Sequence, residues 1–363
     1  METQTLSFER RTSYDILLGK EILTQTVTKL SRMGFCKRCV VLSNDVVAKW
    51  HLQPLIAELR TRRFEVVEII IPDGENQKTL DSAAKIYSDL FEKQFDRSGP
   101  LITIGGGVIG DLGGFVAATF KRGIPFIQFP TSLLAMVDAS IGGKVAVNCP
   151  EGKNLIGTFY QPSMVSIDVS YLLTLPLTQL SYGLVEAVKH GIIADAAYYK
   201  FILKNRNSIK AKEMLLLQRL VRRSLNIKKE IVEQDELDDK GVRATLNFGH
   251  SFGHAFELLG QYRRFHHGEA VGIGMLVAVA FAKELRILKE DFSESLREFL
   301  QDFNLPTEIP KEWTSDEIAT AMVQDKKRQD QKLHLILPTA LGKVEYLPIE
   351  IPEIKRILQT IHR

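Results

Sequence analysis

Cysteine is scarce in this chain. Its 363 residues include only Cys36, Cys39 and Cys149, an odd, low number that argues against a disulfide framework and suits a reducing cytosol. Cys36 and Cys39 form a C-x-x-C, but no second pair exists to complete a zinc knuckle, and CVVLS from Cys39 reads as a strand entering a core. An excess of one charge is also lacking. The 47 basic and 44 acidic residues leave +3, and the basic residues are dispersed, so a nucleic-acid-binding surface is not expected. Local lysine clusters that hold an anionic substrate remain open. No apolar run approaches the roughly 20 residues needed to span a bilayer. Residues 1–19 are mixed and charged with no apolar segment of a signal peptide, so the expected location is cytoplasmic, without membrane contact. There is no internal repeat and no low-complexity tract.

What is present is ordinary globular material, 45% hydrophobic and 25% charged. A chain of this length exceeds what one core usually supports, so two domains are expected. In the first half, CVVLS, a helix near Val46 to Leu59, FEVVEIIIP, a helix from Ser82 to Phe95, PLITIGGG and FIQFPTS alternate as β-α-β units, the pattern of a parallel sheet. After Leu175-Pro176 long helical patterns follow: Leu180 to Ile193, Ala197 to Arg206, Met214 to Val232 and Phe248 to Leu259. The run from Gly268 is apolar all round and predicts a buried helix. The fold class is therefore α/β: an N-terminal parallel-sheet dinucleotide-binding domain, residues 1–172, and a C-terminal all-helical metal- and substrate-binding domain, residues 173–363.

Gly105, Gly107 and Gly110 form G-x-G-x-x-G between a strand and a helix. Such a turn lets backbone approach a pyrophosphate while the helix N-terminus offers free N–H groups. The ribose-binding acid expected about 20 residues later is missing, so a standard Rossmann unit is disfavoured and a phosphate turn of another dinucleotide fold is preferred. Asp73, Gly74 and Glu75 end the preceding strand and could offer carboxylates to hydroxyls. PTSLLAMVDASIGGKVAVNCPEGKNLIG is dense in Gly, Lys, Asp and Asn, and places Asp138, Lys144, Lys153 and Asn154 in or beside glycine turns suited to anions.

Four of the eight histidines lie in the segment Gly249 to Gly268. His250 and His254 are four apart and share a helical face, while His267 follows a loop. Glu186 sits in the helical YGLVEAVKH. Two imidazoles and a carboxylate from separate elements, with one position open, hold a catalytic zinc. By spacing alone, His190, His250, His254, His266 and His267 all compete.

These motifs together resemble the 3-dehydroquinate synthase family of sugar-phosphate cyclases. The resemblance is carried by DGENQK (73–78), GGGVIGDLGGF (105–115), RGIPFIQFPTSLLAMVDASIGGK (122–144), GKNLIGTFYQP (152–162), GLVEAVKHG (183–191), LNFGHSFGHAFE (246–257) and HGEAVGIGM (267–275). It implies a lyase acting on 3-deoxy-D-arabino-heptulosonate 7-phosphate through transient NAD oxidation, phosphate elimination, re-reduction and internal aldol closure. It further implies zinc, or cobalt, on Glu186, His250 and His267, and proton transfer by His254, with Asp239, Lys144 and Lys189 also catalytic. NAD is expected at Asp73, Gly74, Glu75, Lys78, Gly106, Gly107, Val108, Ile109, Gly110, Asp111, Thr131, Ser132, Lys144, Lys153 and Tyr171, Leu172, Leu173 and Thr174. Substrate contacts are expected from Asp138, Lys144, Lys153, Asn154, Lys189, Lys228, Arg243 and Asn247, with Arg122 supplied across a homodimer interface.

Three positions depart from the family pattern. DELDDKGVR (235–243) is one residue longer than the family's usual D-E-x-E-x-G-x-R, so its acid is Asp238 or Asp239; His190 stands where Tyr is usual, and Val185 replaces Ala. Cyclases whose substrates lack a carboxylate have less need of Lys228 and Arg243. A polyol dehydrogenase would produce net NADH, and a non-catalytic NAD sensor would leave the metal set idle.

Overall fold

The structure, a computed structural model, describes residues 12–326 and 332–362. Residues 1–11, part of the segment read above as having no signal peptide, lie outside the described residues. The chain divides into two compact units. One comprises the residues up to Pro130 with Gly143–Asp168, the other Thr131–Gly142 with Val169 onward.

The first unit contains β1 (Asp15–Gly19), β2 (Arg38–Asn44), β3 (Glu65–Ile71), β4 (Leu101–Gly105), β5 (Phe126–Pro130), β6 (Lys144–Cys149), β7 (Gly152–Phe159) and β8 (Met164–Asp168). Six of these form one sheet in the order β1-β8-β5-β4-β2-β3, parallel at every pairing. β4, β5 and β8 are buried along their whole length, which is why they read as continuous apolar runs instead of alternating ones. Val40, Leu42, Leu101, Phe126, Leu112 and Val116 belong to the core. The helix Gly107–Thr119 packs directly on β4. A Cβ on Gly113 would lie 2.2 Å from Thr103 Cγ2, so only a missing side chain allows this approach. The glycine-and-lysine-rich stretch is not loop throughout. Lys144, Lys153 and Asn154 lie on the antiparallel hairpin β6–β7.

The second unit is largely helical. Its principal helices are Leu177–Ala194, Met214–Gln234, His250–Leu259 and His267–Glu284. The expected all-helical character needs one amendment, because β9 (Lys332–Ala340) and β10 (Lys343–Glu350) form an antiparallel hairpin. Alternation of Leu333, Leu335 and Leu337, followed by Gly342 at φ 83°, is its period-two signature. Thr131, Ser132 and Asp138 belong to this unit although they precede residue 172. The helix His267–Glu284 is buried on nearly all sides, as its uniform apolarity predicts.

Candidate active site

In the second unit, three helices bring one carboxylate and two imidazoles together. Glu186 is fully buried, and neither of its oxygens accepts a hydrogen bond. Its Oε1 lies 3.6 Å from His250 Nε2 and 3.9 Å from His267 Nε2, while its Oε2 lies against the Lys189 ammonium. Both imidazoles are oriented from behind. His250 Nδ1 donates to the Phe248 carbonyl at 3.1 Å, and His267 Nδ1 donates to Glu257 Oε2 at 3.3 Å. Each ring therefore presents the lone pair of Nε2 toward Glu186. Ligand atoms of all three residues lie within 4.8 Å of one another. A buried carboxylate that accepts no hydrogen bond and faces two imidazole lone pairs fits a divalent cation. Burial, then the Lys189 charge, holds the His250 imidazole well below its ordinary range. Burial also works against charge on His267, but its bond to Glu257 outweighs this and raises it.

The other histidines fall into distinct places. The His254 ring lies 5.5 Å from that of His250 and 6.1 Å from that of His267, beside the cluster. His266 is exposed and starts the next helix, its backbone N–H donating to Glu269 Oε2 at 2.8 Å, so it turns to capping and not to metal. His190 is fully buried, with Nδ1 2.5 Å from Ser224 Oγ. Burial, then Lys189, pushes its imidazole down to about 3.

Asp138 and Lys228 pair at 2.5 Å. Burial would raise the Asp138 carboxyl, but Lys228 and Lys189 outweigh it and hold it below the usual range. Arg243 is buried and donates to the carbonyls of Gly142 (3.1 Å) and Glu236 (2.9 Å). The 235–243 loop carries both candidate acids, Asp238 and Asp239. Asp239 is exposed, whereas Asp235 is buried and accepts from the backbone N–H groups of Asp239, Lys240 and Arg243. Asp235 thus sets the loop that carries Arg243, a role that its place just beyond the helix Met214–Gln234 could have suggested. A cavity of 290 Å³ is lined by Asn247, His250, His254, Lys332, His334 and Tyr346, among others. The hairpin residues in that lining escaped the sequence reading. Val169–Leu173 is a short 3-10 segment; Tyr171 and Leu172 are buried, and Thr174 Oγ1 donates to the Tyr171 carbonyl at 3.0 Å. Thr131 is buried, and Ser132 Oγ accepts from Ala135 N at 3.3 Å.

In the first unit, the strand-to-helix turn has the features of an anion cradle. Gly106 caps the helix Gly107–Thr119 without a side-chain bond, and no acidic residue occupies its first turn. The first N–H groups, from Gly107, Val108 and Ile109, are therefore left for a phosphate. A Cβ on Gly110 would lie 2.9 Å from Gln128 Oε1. Lys78 is buried and pairs with Asp111 at 2.5 Å and with the Asn154 side chain. Asp73 Oδ1 accepts from Asn44 Nδ2 at 2.5 Å, Glu75 Oε1 accepts from Asn148 Nδ2 at 2.8 Å, and Gly74 takes φ 124°. Lys144 and Arg122 are exposed and Lys153 half-buried.

The family profile described as 3-dehydroquinate synthase N-terminal matches residues 68–182, and that described as 3-dehydroquinate synthase C-terminal matches residues 183–328. The chain belongs to the 3-dehydroquinate synthase family. The 3-dehydroquinate synthase of Desulforamulus reducens is 42% identical over 92% of both chains. That of Syntrophotalea carbinolica is 42% identical over 94% of this chain and 93% of its own. Among solved structures, the 2-epi-5-epi-valiolone synthase of Streptomyces hygroscopicus subsp. jinggangensis 5008, with NAD+ and Zn2+ bound, has TM-score 0.89 at 26% identity, covering 99% of both. A 2-deoxy-scyllo-inosose synthase complexed with carbaglucose-6-phosphate, NAD+ and Co2+ has TM-score 0.84 at 25% identity, covering 96% of both. The fold is shared more widely, since an NADH-dependent butanol dehydrogenase of Thermotoga maritima reaches TM-score 0.70 at 16% identity. Within the 3-dehydroquinate synthase family spans, the glycine turn falls in the N-terminal match and Glu186, His250 and His267 in the C-terminal one.

Proposed function

We propose that this chain converts 3-deoxy-D-arabino-heptulosonate 7-phosphate to 3-dehydroquinate and phosphate, using NAD and one divalent ion. The observation that carries the reading is the buried Glu186 carboxylate, which accepts no hydrogen bond and faces two imidazole Nε2 atoms already oriented through Nδ1. Relatives 42% identical over nine-tenths of the chain bear that enzyme name. Glu186, His250 and His267 would hold zinc, or cobalt, and the turn from Gly106 to Asp111 with Asp73 to Lys78 would hold NAD, assisted by Thr131, Ser132, Lys144, Lys153 and Tyr171 to Thr174. When bound, the ion supplies Lewis acidity toward a substrate hydroxyl, and NAD supplies a reversible hydride acceptor.

The chain's own residues bind, orient and move protons. Lys144, Lys153 and Asn154 bind substrate from the hairpin of the first unit, and lysine ammoniums suit a phosphate dianion. In the second unit Lys189, Lys228, Asp138 and Asn247 bind the sugar, while the Arg243 guanidinium offers planar donors to its carboxylate. The His254 imidazole, beside the cluster, takes and returns a proton during the reaction. Asp235 holds the loop that carries Arg243, and Asp239 on that loop acts as a catalytic carboxylate. Arg122 reaches a neighbouring copy in a homodimer, and the protein works in the cytoplasm. With the heptulosonate phosphate supplied, phosphate release should require NAD and leave no net NADH absorbance. NADH accumulating in step with substrate loss would replace this reading with a polyol dehydrogenase.

A further inference from the structure

We infer that Glu257 is the positioning residue of the metal centre: its carboxylate holds His267 in the tautomer and ring orientation that turn Nε2 toward Glu186 and His250. This presupposes the Glu186–His250–His267 centre proposed above. The helix His250–Leu259 places His250, His254 and Glu257 at i, i+4 and i+7, on one face. The opposite side carries Phe252 and Phe256, both buried. Glu257 is itself only 2% exposed, and a carboxylate so placed needs a donor to offset its desolvation. The His267 Nδ1–H, 3.3 Å away, is such a donor.

His267 therefore stands between two carboxylates, with Glu257 behind it at Nδ1 and Glu186 in front of it, 3.9 Å from Nε2. It is also the more exposed of the two imidazoles, 34% against 11% for His250, and starts its helix after a loop. His250 is fixed by a backbone carbonyl on its own chain segment; His267 depends on a side chain from another helix. A carboxylate behind a ligating imidazole fixes its tautomer and raises its basicity, and losing one costs about 10- to 100-fold in metal affinity. The rival arrangement is a second ion bound directly by His254, Glu257 and His267 Nδ1, whose ligand atoms also lie within 4.8 Å of one another.

The test is titration of the chelator-stripped full chain with Co2+, followed by its visible absorption, on the wild type, Glu257→Ala, Glu257→Gln and His267→Ala. The wild type should bind one equivalent. Glu257→Ala should still bind one at saturation but about 10- to 100-fold more weakly, and Glu257→Gln, which keeps an acceptor for Nδ1–H, should recover part of the loss. Nitrogen NMR of labelled histidine should show the Nδ1–H tautomer of His267 in the metal-free wild type and a mixture in Glu257→Ala. Unchanged Co2+ affinity and tautomer in Glu257→Ala, with binding lost in His267→Ala, would overturn the role of Glu257 and leave the metal centre standing. A second equivalent in the wild type that vanishes in Glu257→Ala would overturn it in favour of direct ligation. Full affinity in His267→Ala would instead remove the metal centre itself. Should Glu257→Ala not fold, the Glu257→Gln titration and tautomer decide alone, a wild-type result in both overturning the inference.

Discussion

Lys189 and Glu186 stand one turn apart on the helix Leu177–Ala194 and form an ion pair in which both side chains are buried, 2% and 0% exposed. The pair balances a carboxylate that accepts no hydrogen bond. In the metal-free protein Lys189 is the counter-charge, whereas a bound divalent ion would supply far more positive charge to the same oxygens. Removing one member of a buried pair costs about 3–5 kcal/mol because the other is left uncompensated. Lys189→Met should therefore lower the Tm of the chelator-stripped protein, and zinc should restore more of that Tm than it adds to the wild type. Equal zinc-induced shifts in the two proteins would count against a metal on Glu186.

The first-coordination assignment is open to elemental analysis. His250→Ala and His267→Ala should purify folded and lose the ion, since each removes one of three donors. Wild-type zinc content in both variants would take these residues out of the metal centre.

His254 lies beside the cluster without being needed to complete it. His254→Ala should keep its zinc and lose roughly 10²-fold or more in kcat, the scale of a missing general acid–base. Metal loss would make it a ligand or a support for one, and near wild-type turnover in a metal-replete variant would end its role in proton transfer.

Gly274 lets two helices of the metal site touch. A Cβ there would lie 2.1 Å from the Gly249 carbonyl oxygen and 2.9 Å from Gly253 N, both backbone atoms that cannot rotate away. Gly274→Ala should cost about 1–3 kcal/mol, as overpacking does. It should also weaken zinc binding, because the helix carrying His250 must shift from the helix carrying His267. Chemical denaturation with a parallel zinc titration reads both effects.

His190 gives a pH dependence with a definite sign. Its imidazole is held at about 3, against an ordinary value of 6.5, by burial first and by Lys189 next; Asp138 and Glu186 oppose this and Lys228 adds to it. Because the unfolded chain binds that proton more readily, this contribution to stability is full above about pH 6.5 and declines as pH falls toward 3. In chelator-stripped protein, the urea midpoint should drop less steeply between pH 7 and pH 5 in His190→Gln than in the wild type. Parallel pH curves would show that His190 does not set this slope.

The sequence by itself determined the α/β character of the first unit and the helical character of most of the second, because continuous apolar runs and 3.6-residue periodicity are local signals. It also displayed Glu186, His250 and His267 among its candidates, and it put His250 and His254 on one helical face by spacing alone. Sequence could not select among five competing histidines. His266 differs from His267 by one position, yet one starts a helix as a cap and the other turns its Nε2 to within 3.9 Å of Glu186. Which way each ring points depends on where the Glu186 and Glu257 helices lie, and spacing along the chain does not encode that. The 235–243 loop was no easier to read. Asp238 and Asp239 look alike in one dimension, and only the folded loop shows that Asp235 gathers its N–H groups while Asp239 faces solvent. The tertiary structure decided which polar groups lose their water, and that loss gives a carboxylate or an imidazole its chemical role.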